Sequence, residues 1–195
     1  MEQIKLDSNY WNDRYFSGNT GWDIQAVSRP IKEYLDQLEN KNISVLIPGC
    51  GNAHEAAYAN SIGFEDVHIL DFAELAIQNF INKHPQFKKD NIHIEDIFLH
   101  ANKYDLIIEQ TLFCAIDPLL RELYAQKMYD LLKDGAKLVG LLFDKEFPSG
   151  PPFGGNKEEY LSYFSPLFNI KIFEKCYNSI EPRSGTELFF ILEKK

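Results

Sequence analysis

A short apolar run, Ile43-Ser44-Val45-Leu46-Ile47, ends abruptly at Pro48-Gly49-Cys50-Gly51 and leads into a helical stretch. This feature constrains the fold more than any other. A strand without polar alternation has to be covered on both faces, which is the situation of a parallel sheet flanked by helices. The pattern then recurs. Strands are predicted at 67–71, 92–94, 104–109 and 137–143, each rich in Val, Ile and Leu. Helices are predicted between and around them. Residues 28–39 have Ser28 as N-cap, Pro30 in the first turn and Ile31, Leu35 and Leu38 at helical spacing. Asn52 and Glu55 are placed as a capping box for a helix that runs to Gly63. Further helices are expected over 74–83, over 118–132 with Asp117 as cap, and over 157–164. The last two strands, 168–177 and 188–192, have no helix between them, so they pair antiparallel through a turn at 182–185. The fold class is therefore α/β, a Rossmann-like doubly wound sheet with helices on both faces. An aromatic N-terminal segment, 1–27, precedes one continuous domain, 28–195.

Composition excludes several function classes. The chain of 195 residues has 20 basic and 29 acidic side chains and a formal charge of −9. Such a surface repels nucleic-acid backbones and anionic membranes. No apolar run approaches the roughly 20 residues of a membrane span. The three cysteines, Cys50, Cys114 and Cys176, fit neither a disulfide framework nor a zinc spacing. With no apolar block in the first residues, the cytoplasm is the default location. No protein or nucleic-acid partner follows from the sequence.

Ligands of doubly wound sheets bind at the carboxyl ends of the strands. Gly49 and Gly51 let the backbone approach a ligand there, but His54 occupies the place of a third glycine, which disfavours a dinucleotide pyrophosphate and a nicotinamide-dependent oxidoreductase. Asp71 ends the second strand, twenty residues after Gly51, where an acid can accept both ribose hydroxyls; the alternative is a helix cap. Asp96 and Ile97 follow the third strand and suit the amino group and face of an adenine, or else a solvated turn. The stretch 109–118 is unusually apolar for a loop, and Cys114 within it reads as a buried core thiol. Residues 10–23 hold both tryptophans. Trp11 and Tyr15 are one helical turn apart and share a face. The segment is either a docking plug or a lid whose aromatic faces meet a cationic ligand.

Together these segments resemble class I S-adenosylmethionine-dependent methyltransferases, and more narrowly the thiopurine and thiol/halide methyltransferase superfamily. The resemblance is carried by Trp11, Tyr15, the 18–23 segment with Trp22, the Ile47-Pro48-Gly49-Cys50-Gly51 turn, the block from Thr111 to Pro118, and the Gly150-Pro151-Pro152-Phe153 turn. It implies a seven-stranded sheet with the last strand antiparallel and S-adenosylmethionine as methyl donor. It places Trp11, Tyr15 and Trp22 at a lid, Gly49 and Gly51 near the methionine end, Asp71 at the ribose, and Asp96 and Ile97 at the adenine. Gln110 and Thr111 join the cofactor-binding set. The family often has tryptophan at Tyr15 and tyrosine at Gln110. Its acceptors range over thiols, thiopurines, halides and thiocyanate.

Methyl transfer from a sulfonium is an in-line displacement, so the protein mainly positions the partners. An acceptor that is already anionic requires no general base. The five histidines, 54, 68, 84, 93 and 100, are scattered along the chain, and no metal-ligand spacing is present. The sequence therefore favours a small, soft nucleophile as acceptor, in a pocket roofed by the N-terminal segment and the 147–153 loop. Arg14 and Lys145, the nearby cations, are expected in surface ion pairs. The remaining alternatives are another acceptor class on the same fold and a non-catalytic S-adenosylmethionine-binding module.

Overall fold

The computed structural model describes residues 5–195. In chain order the elements are α1 (Ser8–Phe16), α2 (Arg29–Gln37), β1 (Ser44–Pro48), α3 (His54–Ser61), β2 (Asp66–Leu70), α4 (Glu74–Lys83), β3 (Ile92–His93), β4 (Tyr104–Gln110), α5 (Arg121–Leu131), β5 (Leu132–Phe143), α6 (Lys157–Phe164), β6 (Phe168–Lys175) and β7 (Glu187–Lys194). The strands form one sheet in the order β3-β2-β1-β4-β5-β7-β6. The first five pair parallel, and β7 inserts antiparallel between β5 and β6. The order reverses between β1 and β4, which is the switch point where ligands of such sheets bind.

Side chains alternate across the sheet and build two cores. Val45 and Ile47 of β1 and Leu106 and Ile108 of β4 face one side, where they meet Ile31 and Leu35 of α2, Ala56 and Ala59 of α3, and Ile77 and Phe80 of α4. Leu46 and Ile107 face the other side, against Tyr124 and Met128 of α5 and Tyr160 and Phe164 of α6. Two faces are buried, so the strands carry apolar residues at every position rather than at alternate ones. Helices α2, α3 and α4 thus cover one face of the sheet and α5 and α6 the other.

The expected elements all occur, with three differences. The helix placed at 118–132 opens with a short 3-10 turn, Pro118–Leu120, because Pro118 has no N–H and Asp117 accepts the Leu119 N–H at 2.9 Å. Strand β5 begins five residues earlier than expected, at Leu132, with a register shift opposite Tyr104 and Leu106. The capping box of α3 does not form. Ala53, in left-handed conformation, precedes the helix, while the Asn52 amide donates to Asp23 (2.5 Å) and Glu55 accepts the Ser28 N–H (3.2 Å). Both members of the box are taken by residues N-terminal to the sheet.

In the ladder between β4 and β5, Gly140 pairs with Glu109. A Cβ at Gly140 would lie 2.6 Å from the Glu109 Cβ and would also overlap its backbone carbonyl. Backbone cannot yield as a flexible side chain can. Gly140→Ala should therefore destabilise the protein by about 1–3 kcal/mol or more, read as a lower urea midpoint with little change in slope. An unchanged midpoint would show that the two strands separate freely there.

Candidate functional site

The carboxyl ends of the parallel strands open into one cavity of about 1030 Å³. Its floor is the turn after β1, where Gly49 and Gly51 take left-handed φ of 57° and 53°. These glycines are also crowded. A Cβ at Gly49 would lie 2.7 Å from Leu112, and one at Gly51 would lie 2.7 Å from the Tyr15 hydroxyl. The loop after β4 and the N-terminal helix therefore each close over one glycine.

Asp71 stands beside this turn and is 8% exposed. Its Oδ2 accepts the Gly51 N–H and its Oδ1 the Ala73 N–H, both at 2.9 Å. Burial pushes its pKa above the ordinary carboxylate value, opposed by these backbone donors. A carboxylate has about four lone-pair sites, so capacity for two hydroxyl donors remains. Asp71 does not cap α4, whose N-cap is Ala73, but it ties down the turn before that helix and also lines the cavity. Asp96 likewise accepts the Phe98 N–H at 3.0 Å, and both it and the buried Ile97 line the cavity.

The N-terminal residues form the opposite wall. Asp7 caps α1 by accepting the Tyr10 N–H, and Asn12 accepts the Leu75 N–H at 2.9 Å, which docks α1 on α4. Trp11 and Tyr15 share the cavity face of α1, and Trp22 meets both rings edge-on at centroid distances of 5.3 and 5.7 Å. Asp23 fixes the end of the segment through the Asn52 amide and the His54 imidazole at 2.9 Å. All ten cofactor-binding residues expected from the sequence, namely Trp11, Tyr15, Trp22, Gly49, Gly51, Asp71, Asp96, Ile97, Gln110 and Thr111, line this one cavity.

Arg14 departs from expectation. Its guanidinium lies 5.7 Å from both the Tyr10 and Trp22 ring centroids and lines the cavity, because the aromatic cluster offers π-faces where solvent would offer a counter-ion. Lys145 lies over the Phe147 ring at 4.7 Å and also lines the cavity. The histidines depart as well. His54 reaches Asp23 in the cavity wall, and His68, His93 and His100 converge at the sheet edge, because β2 and β3 are neighbours. Sequence reasoning missed Arg183. It donates to the Trp22 carbonyl (2.7 Å), pairs with Glu187 (3.4 Å) and lies over Phe143. A signal existed. Strand β7 is antiparallel and Glu187 pairs with Phe143, so the turn before it has to lie at the carboxyl end of β5.

Glu109 organises the loop after β4 from below. It is 1% exposed. Its Oε1 accepts the Leu112 and Phe113 N–H groups at 2.9 and 3.0 Å, and the buried Tyr124 hydroxyl donates to Oε2. The preceding Thr111 is held at φ 69°, a strained backbone for a β-branched residue, at the cavity wall.

The architecture has solved counterparts. The 1,6-didemethyltoxoflavin-N1-methyltransferase of Burkholderia thailandensis, determined with bound 1,6-didemethyltoxoflavin and S-adenosylhomocysteine, superposes with a TM-score of 0.76 at 15% identity over 96% of this chain and 87% of that one. The fold is thus that of the Rossmann-like methyltransferases. The sequence model of the thiopurine S-methyltransferase family (TPMT) matches residues 6–192, and the chain belongs to that family. The probable thiol methyltransferase 2 of Arabidopsis thaliana is 31% identical over 92% of this chain and 82% of its own length. Thiocyanate methyltransferase 1 of Brassica oleracea is 31% identical over 93% and 83%. The protein is accordingly an S-adenosylmethionine-dependent methyltransferase, and the cavity's paired glycines, buried acid and aromatic wall fit that donor.

Burial drives the Glu109 carboxyl up to about 7, against the lowering effect of its three hydrogen-bond donors. The folded protein therefore holds a proton that an unfolded carboxyl, near 4.5, has already released. The resulting stability is present below pH 4.5 and is lost as pH rises through about 7. Urea unfolding from pH 4.5 to 8 should show the wild type losing on the order of 3 kcal/mol more than Glu109→Gln across that window. Parallel pH profiles for the two proteins would remove the assignment.

Proposed function

We propose that the protein transfers the methyl group of S-adenosylmethionine to a small, soft, anionic acceptor: a thiolate, a thiopurine, thiocyanate or a halide. The observation that carries this reading is the composition of the cavity beside β4 and β5. There Arg14, Lys145 and Arg183 stand among Ile116, Leu120, Phe143, Phe147, Pro151 and Pro152, in a protein of net charge −9. Fixed positive charge in an apolar wall suits a weakly hydrated anion. The names of the relatives, thiol and thiocyanate methyltransferases, support the same class.

In this reading the donor lies across the ends of β1, β2 and β3. Asp71 takes the ribose hydroxyls, Asp96 and Ile97 the adenine, and the N-terminus of α3 the carboxylate of the methionine moiety. Gly49 and Gly51 let that moiety approach the backbone, and Gln110 and Thr111 border it. The faces of Trp11, Tyr15 and Trp22 supply a π environment for a sulfonium. The donor brings a methyl group on a positively charged sulfur, which an acceptor displaces in line. Arg183 and Arg14 orient that acceptor. The segment 1–27, acting as a lid on the domain 28–195, excludes water by closing through Asp23, Asn52 and His54. A cytoplasmic setting and a small-molecule partner fit this chemistry, and no described helix is long and apolar enough to cross a membrane.

One geometric observation favours a harder acceptor. The His54–Asp23 pair has the form of an oriented general base. Asp23 bonds Nε2, which leaves Nδ1 as the nitrogen that would take a proton; in our reading the pair instead latches the N-terminal segment. A screen with labelled donor over thiols, thiopurines, iodide, thiocyanate and a catechol separates the two. With thiols kcat/KM should follow the acceptor's own pKa, and with iodide it should be nearly flat with pH. A catechol methylated faster than every thiol and anion, with a pH profile abolished by His54→Ala, would overturn the soft-acceptor reading.

Asp71→Ala should weaken S-adenosylhomocysteine binding by about 1–3 kcal/mol, the loss of a charge-assisted hydrogen-bonding group. Calorimetry measures this directly, with circular dichroism as a check on folding. Unchanged affinity in a folded variant would detach Asp71 from the ribose.

A further inference from the structure

We propose that His93, Glu95 and His100 form a binding site for a divalent transition metal, zinc in the first instance, at the outer edge of the sheet. One ligand atom from each of these residues lies within 4.8 Å of the others. Ligand atoms around tetrahedral zinc, each about 2.0–2.2 Å from the metal, stand roughly 3.3 Å apart. The His100 Nδ1 and a Glu95 carboxylate oxygen are already 2.7 Å apart, so a small opening of that contact admits an ion between them. Two imidazoles and one carboxylate, with a fourth position for water, are a donor set of the kind zinc takes.

The surroundings are those of a ligand site rather than a chance meeting of side chains. His100 is 3% exposed, and its Nε2 lies 2.7 Å from the hydroxyl of Tyr104, which is itself fully buried. That bond fixes the ring and turns Nδ1 toward Glu95, as outer-shell partners do for metal-ligating histidines. On the other side a chain runs from Asp66 to His68 and from His68 to His93, each contact 3.0 Å. The His68 and His93 rings stack within 7° of parallel, and the His93 and His100 ring centroids are 4.7 Å apart.

The position has a structural rationale. Strand β3 is two residues long and pairs with β2 at only two positions. The turn that follows it, 94–100, carries Glu95, Asp96 and Ile97 at the wall of the cavity. A metal joining residues 93, 95 and 100 would staple this turn to the sheet edge, where β3 is held by a two-residue pairing on one side only.

The test uses the full chain, stripped of metal by a chelator. Zinc is titrated in competition with a chromophoric chelator, and cobalt(II) is then added as a spectroscopic probe. One equivalent of zinc should bind, and cobalt(II) should give the strong visible absorption of a four-coordinate site. Glu95→Gln removes a ligand at a partly exposed position and should leave the fold intact. Tyr104→Phe keeps the core volume and removes the outer-shell oxygen. Each should weaken zinc binding about 10–100-fold, while His84→Ala, outside the cluster, should not. No stoichiometric binding, equal affinity in all variants, or only the pale spectrum of six-coordinate cobalt(II) would overturn the proposal.

Discussion

The cavity wall formed by the loop after β4 depends on one buried carboxyl group. Glu109 sits at the end of β4 with no access to water, and it gathers three donors: two backbone N–H groups of the following loop and the Tyr124 hydroxyl. A buried carboxylate without such partners would be untenable. With them it converts the end of a strand into the base of a loop. Leu112 is thereby set over Gly49, and Phe113 is sent down into the ring cluster with Tyr124, Tyr160 and Phe164. The Cys114 carbonyl then accepts the Phe153 N–H at 2.6 Å, which brings the 147–153 roof to the same wall.

Arg121 extends this arrangement. It is 2% exposed, lies over the Phe113 ring, bonds the carbonyls of Phe153 and Gly154 and pairs with Glu159. Its carbonyl partners belong to the proline-rich roof, and its ionic partner belongs to α6. A single guanidinium with five donors can hold a loop, a helix and a ring together in a way that a lysine cannot. This wall of the cavity thus rests on two buried polar side chains, Glu109 and Arg121, that both hold Phe113 without pairing directly.

The legible part of the fold was the part that repeats locally. Apolar runs ending in glycine or acid at β1, β2 and β3 report both a strand and what lies at its carboxyl end, so Gly49, Gly51, Asp71, Asp96 and Ile97 follow from chain order and the rule for doubly wound sheets. Contacts that require the sheet order itself were not legible. His68, His93 and His100 are far apart in sequence and adjacent only because β3 pairs with β2. Asn52 and Glu55 satisfy a local capping pattern, yet Asn52 is claimed by Asp23 of the N-terminal segment and Glu55 by Ser28 before α2, tertiary contacts that local spacing cannot show. Arg183 lay in a hairpin read only as a turn, although its position opposite the end of β5 follows once β7 is antiparallel.

The charge pattern separates the two halves of the cavity. Asp71, Glu95 and Asp96 follow β2 and β3, whereas Lys145 and Arg183 lie at the end of β5, and Arg14 lines the cavity from α1. In the proposed reading the acids face the sulfonium and the cations its acceptor anion. The two guanidiniums differ in their partners. Arg14 rests on Tyr10 and Trp22, and Arg183 on Phe143, the Trp22 carbonyl and a Glu187 at 3.4 Å. Trp22 meets both cations, Arg14 at its ring and Arg183 at its carbonyl, and also packs against Tyr15 over the glycine turn. Trp22 thus ties the aromatic wall and the two arginines to one segment, so in the proposed reading the acceptor site is complete only when that segment covers the donor.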